Sequence, residues 1–81
     1  MAKPSPSLSG NPALLALGKA IRAERIKQGM AQEALAFEAG LDRSYLGGIE
    51  RGEHNVAIIN LVKIANALKI KLYELLRESA L

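Results

Sequence analysis

Cysteine is absent from the 81-residue chain, which excludes a disulfide framework and any thiolate-held zinc site. Tryptophan is absent too, and Phe37, Tyr45 and Tyr73 are the only aromatics, so a core must be assembled from Leu, Ile, Val and Ala. That composition, 49% apolar, favours helices over a β-sandwich. With His54 the only histidine, no multi-histidine metal site can form, and the carboxylates show no ligand spacing. No stretch approaches the ~20 apolar residues of a membrane span, and residues 1–12 (MAKPSPSLSGNP) lack the apolar run of a secretion signal, so a cytoplasmic location is expected. There is no paired nucleophile and base and no phosphate-cradling glycine loop, which argues against an enzyme and against a bound cofactor.

What is present fits one small domain, because a chain this short cannot bury two separate apolar centres. The formal charge of +3 suits a polyanion without identifying one. Its distribution is uneven: Lys19, Arg22, Arg25 and Lys27 face only Glu24, whereas the stretch from Gln32 to Glu53 sets Glu33, Glu38, Asp42, Glu50 and Glu53 against Arg43 and Arg51.

Residues 1–12 are rich in Pro and Ser and read as a flexible tail, either inert or a basic arm carrying Lys3; residues 13–78 form the folded domain. Asn11 before Pro12 is a helix start, since the Asn side chain accepts from free amides and Pro needs no amide partner. Leu14, Leu17, Ile21 and Arg25 share one face of a helix running to about Gln28, closed by Gly29 and Met30. A second helix, about Ala31 to Ala39, stops in the same way at Gly40 and Leu41. Asp42 can cap a third, with Leu46 and Ile49 on its buried face and Gly52 at its end. After a loop over Glu53 to Ala57, Ile58, Leu61, Val62, Ala65 and Leu68 mark a fourth helix, and Leu72, Leu75 and Leu76 a fifth, the stretch KIKL (69–72) serving as the link.

The segment QEALAFEAGLDRSYLGGIER, Gln32 to Arg51, meets the demands of two helices crossing steeply through a tight turn. Ala36 is small where the helices touch, Gly40 supplies a positive φ, and Leu35, Leu41, Leu46 and Ile49 fill the wedge beneath them. From about Leu17 to Leu76, through IRAERIKQGMAQEALAFEAGLDRSYLGGIERG and NLVKIANAL, the chain resembles the Cro and phage-repressor type of helix-turn-helix proteins, also called the xenobiotic-response-element family. Within that family RSYLGGIERG and the small size look most like the controller proteins of restriction–modification systems.

The resemblance implies an all-α, compact five-helix domain, a two-fold dimer that regulates transcription by placing its third helix in the major groove of double-stranded operator DNA. It places Arg43 and Ser44 at the start of the reading helix and Gly48 at a third reading position one turn later. A guanidinium at 43 can bind guanine O6 and N7 together. Tyr45 either meets a thymine methyl or a phosphate, or packs against the first helix. Gln32 matches a phosphate-binding position at a helix N-terminus, with an exposed helix former as its plain alternative. Arg51 resembles a phosphate contact or is a solvated charge. His54 is a solvated loop residue or a phosphate contact strengthened by protonation, and Asn55 caps the fourth helix or donates to phosphate. Arg25 and Glu50 match a largely buried ion bridge between the first and third helices.

Three departures from the family pattern stand out. Ala31 and Ala57 occupy positions where Ser or Thr caps a helix, and Gly47 and Gly48 replace side chains within the reading helix, where each Gly costs ~1 kcal/mol relative to Ala. Phe37 is expected partly buried on the second helix. Large aliphatics crowd the last two helices beyond what a small core holds, so a homodimer interface is expected between about Ile58 and Leu76, with Ile59 and Ile70 facing outward. No small-molecule ligand is expected, and the competing reading is an antitoxin or protein-binding adaptor on the same fold.

Overall fold

The computed structural model describes residues 8–81, so Lys3 and the first part of the expected tail lie outside it. Five helices and no strands form among these residues: α1 (Pro12–Lys27), α2 (Gln32–Ala39), α3 (Arg43–Glu50), α4 (Ile58–Ala67) and α5 (Leu72–Glu78). The expected tail is ordered at its inner end. Leu8 to Gly10 make a turn in which Asn11 N–H donates to the Leu8 carbonyl at 2.9 Å and Gly10 N–H to the Gly52 carbonyl at 3.0 Å.

Helix boundaries follow local chemistry. The Asn11 carboxamide accepts from Ala13 N–H at 2.9 Å with Pro12 in the first helical position, and the Asp42 carboxylate accepts from Tyr45 N–H at 3.2 Å. Ala31 and Ala57 cap α2 and α4 in extended conformation with no side-chain bond, as their identity dictates. At the other ends, α1 and α2 close alike: Gly29 (φ 71°) and Gly40 (φ 68°) let the chain turn so that Met30 N–H reaches the Arg25 carbonyl and Leu41 N–H the Ala36 carbonyl. The same closure ends α4 without glycine. Lys69 takes φ 59° while Ile70 N–H reaches the Ala65 carbonyl at 3.0 Å, so the KIKL stretch is a strained link rather than a strand.

The core is one aliphatic cluster to which every helix contributes: Leu17 and Ile21 from α1, Leu35 and Ala36 from α2, Leu46 and Ile49 from α3, Leu61 and Ile64 from α4, and Leu75 from α5. α2 packs on α3 and α4, and α1 packs on α3 and α5, leaving α2 and α3 adjacent at one end of the molecule. α1 approaches α3 closely enough that a Cβ on Gly18 would stand 2.5 Å from the carbonyl oxygens of Ile49 and Glu50, so this crossing requires glycine.

Phe37 and Ile70 depart from the burial expected of them. Phe37 is 84% exposed, because the inward face of α2 is taken by Leu35, Ala36 and Ala39. Ile70 is half-buried and packs against the core, whereas Ile58, Ile59 and Tyr73 carry the exposed apolar surface of α4 and α5.

Candidate DNA-recognition site

The site is built on a buried carboxylate. Glu50, in the last turn of α3, receives both Nε (2.8 Å) and Nη2 (3.0 Å) of Arg25, while Arg25 Nη1 donates to the Met30 carbonyl at 2.8 Å. Side-chain exposures of 11% and 2% place this pair among the buried ion bridges, whose members must be fully hydrogen-bonded. That condition is met, because Gln32 Nε2 also donates to Glu50 at 3.1 Å. One carboxylate thereby ties α1, the α1–α2 turn, the start of α2 and the end of α3 together, fixing the angle of the helix-turn-helix. Gln32 is thus half-buried and engaged with α3, and is not an exposed helix former.

Above this clamp α3 offers few side chains. Arg43 is exposed and Ser44 half-exposed in its first turn; from Leu46 to Glu50 every residue is buried. Gly48, expected at a reading position, instead faces the imidazole of His54, which takes up the space a side chain would need. His54 is itself buried, which overturns its reading as a solvated loop residue. Its ring meets that of Tyr45 edge-on, with centroids 4.9 Å apart. Tyr45 is therefore supported by the α3–α4 loop and by α4, where Asn60 Nδ2 donates to its hydroxyl at 3.2 Å, and it packs against the core. Asn55 is exposed in the same loop.

Arg51 follows α3 and is 62% exposed in its side chain; Nε and Nη2 donate to Glu53 at 2.8 and 3.2 Å. The hydrogen bond from Arg51 holds the Glu53 carboxyl below its ordinary value of 4.5, and the carboxylate in turn raises the guanidinium. Among the described residues no cluster of three or more metal-binding side chains occurs, and no helix is long and apolar enough to cross a membrane.

The Gln32–Glu50 bond, the Arg51–Glu53 pair, the Asn60–Tyr45 bond and the Gly18 crossing were not foreseen from sequence. Gly18 alone left a trace there, as a glycine inside an otherwise helical stretch. The others join side chains of ordinary surface type across turns or between helices.

Residues 21–75 match the helix-turn-helix family, and the chain belongs to that family of DNA-binding transcriptional regulators. It is homologous to the restriction–modification controller proteins. Control protein C.BamHI of Bacillus amyloliquefaciens is 44% identical over 63 residues, 76% of this chain and 78% of that protein. A Neisseria meningitidis hypothetical transcription factor is 43% identical over 56 residues, but the chain spans only 53% of its length. Among solved structures, the controller protein C.AhdI from Aeromonas hydrophila superposes with a TM-score of 0.76 at 50% identity, covering 76% of this chain and 94% of the other. C.Esp1396I, solved bound to a 19 base pair DNA duplex, gives a TM-score of 0.76 at 35% identity over 85% of this chain and 96% of that one.

Proposed function

We propose that the protein is a sequence-specific transcriptional regulator that binds a pseudo-palindromic operator as a two-fold homodimer, in the manner of a controller of a restriction–modification operon, acting in the cytoplasm on the nucleoid. The observation that carries this reading is the contrast within α3: Arg43 and Ser44 stand out from the first turn, while Leu46 to Glu50 are buried and clamped through Glu50 to Arg25 and Gln32. A helix held that rigidly can present two side chains to base edges without ordering costs at the moment of binding.

Arg43 reads guanine through a bidentate pair and Ser44 contacts the neighbouring base or phosphate. Tyr45, Arg51 and Asn55 flank them toward the phosphates, joined by the free amides at the start of α2 beside Gln32. His54, buried beneath Tyr45, acts by holding that ring in place and leaves phosphate contact to its exposed neighbours. The relative C.Esp1396I, solved bound to a DNA duplex, supports the DNA-binding reading. Replacing Arg43 by Ala tests the reading. Selection of bound fragments from random duplex should lose its base preference at one position per half-site, by ~1–3 kcal/mol, with binding to non-cognate DNA preserved. Unchanged preference in the variant would place the reading elsewhere.

A further inference from the structure

We propose that Glu53 occupies, in the free protein, the place that a DNA phosphate takes on Arg51, and so limits how tightly the protein grips DNA of any sequence. The inference rests on the DNA face proposed above. The geometry of the pair is that of a guanidinium on an oxyanion: two parallel donors, Nε and Nη2, reach the two oxygens of one carboxylate at 2.8 and 3.2 Å. The rest of the guanidinium stays close to α3 while the side chain remains exposed. Its Nη1 lies only 3.2 Å from where a Cβ of Gly47 would stand, so the side chain lies back along α3 in room that glycine leaves. Glu53 is held in turn, with its side chain 29% exposed and its carboxyl kept below its ordinary value by the same fork.

A phosphate that seeks Arg51 must therefore displace Glu53, or settle beside a carboxylate of like charge. Either cost is the same for every DNA sequence, so Glu53 sets general affinity and leaves discrimination to Arg43 and Ser44. Exposed ion pairs are weak, which makes the exchange readily reversible.

The test is fluorescence anisotropy with a labelled random-sequence duplex across a series of KCl concentrations, for the wild type, E53Q, R51A and the double variant. E53Q should bind about three- to tenfold more tightly, because Arg51 no longer has to leave a carboxylate to engage a phosphate. R51A should bind more weakly, and adding E53Q to it should give no further gain. The inference is overturned if E53Q binds no more tightly, or if its gain persists without Arg51, which would make it an effect of net charge alone. If R51A binds as the wild type does, Arg51 is no phosphate contact and the inference falls with it. The Arg43 variant then decides separately whether the recognition helix stands.

Discussion

Gly47 and Gly48 stand side by side in α3 and read alike in the sequence, as two losses of helix propensity, yet they have different neighbours. A Cβ on Gly48 would press on His54, 2.6 Å from Cδ2, and that ring is buried and braced by Tyr45. A Cβ on Gly47 would meet only the ends of the Arg51 and Gln32 side chains, at 3.2 and 3.3 Å, which can give way. Gly47→Ala should therefore gain up to ~1 kcal/mol of stability from helix propensity, while in Gly48→Ala overpacking of ~1–3 kcal/mol outweighs the same gain. Urea unfolding of the two variants, read by circular dichroism, separates them; equal shifts would mean that the imidazole is not fixed on Gly48. The Arg25–Glu50 pair was legible because a family motif surrounds it. The burial of His54 was not, because its cause is a glycine six residues earlier and a ring on α3, neither of which marks a loop residue in the sequence.

At the scale of elements, all five helices could be read from apolar spacing and end chemistry, since Asn11–Pro12, Asp42, Gly29 and Gly40 act locally and need no tertiary information. The face each helix turns inward was less legible. Phe37 was expected partly buried on α2, but this eight-residue helix has its buried positions filled by Leu35, Ala36 and Ala39. The uncapped starts of α2 and α4 provide a direct test of local energetics. Ala31 (φ −70°, ψ 154°) and Ala57 (φ −62°, ψ 144°) already hold the extended geometry of a capping residue. Ala31→Ser and Ala57→Ser should each add ~1 kcal/mol to the free energy of unfolding, measured by chemical denaturation. No gain at either site would mean that the first amides of that helix are already satisfied by solvent as well as by a hydroxyl.

For the whole molecule, the decisive feature is the apolar surface left on α4 and α5. Ile58, Ile59 and Tyr73 are 63%, 58% and 66% exposed, and all belong to the two elements placed last in the chain. The excess of aliphatics was legible in the sequence; Ile59 is exposed as expected, whereas Ile70 is half-buried. The choice at 70 failed because Lys69 turns the chain through positive φ and swings Ile70 back onto the core. Ile59→Asp should leave the helical spectrum intact, convert a dimer to a monomer in sedimentation velocity at micromolar concentration, and abolish tight operator binding. A two-fold dimer places its half-site centres ~34–36 Å apart. A wild-type protein that sediments as a monomer and binds one half-site tightly would contradict the assembly.

The turn before α1 has a use of its own. Gly10 is bonded to the carbonyl of Gly52, so exposed Ser9 is anchored beside the loop that leaves the recognition helix. The chain has no cysteine, and a thiol introduced at Ser9 would be its only one. A single environment-sensitive dye attached there would sit at the rim of the proposed DNA face without replacing any residue assigned to contact it. Its emission would give an optical record of docking and release in real time from one labelled position.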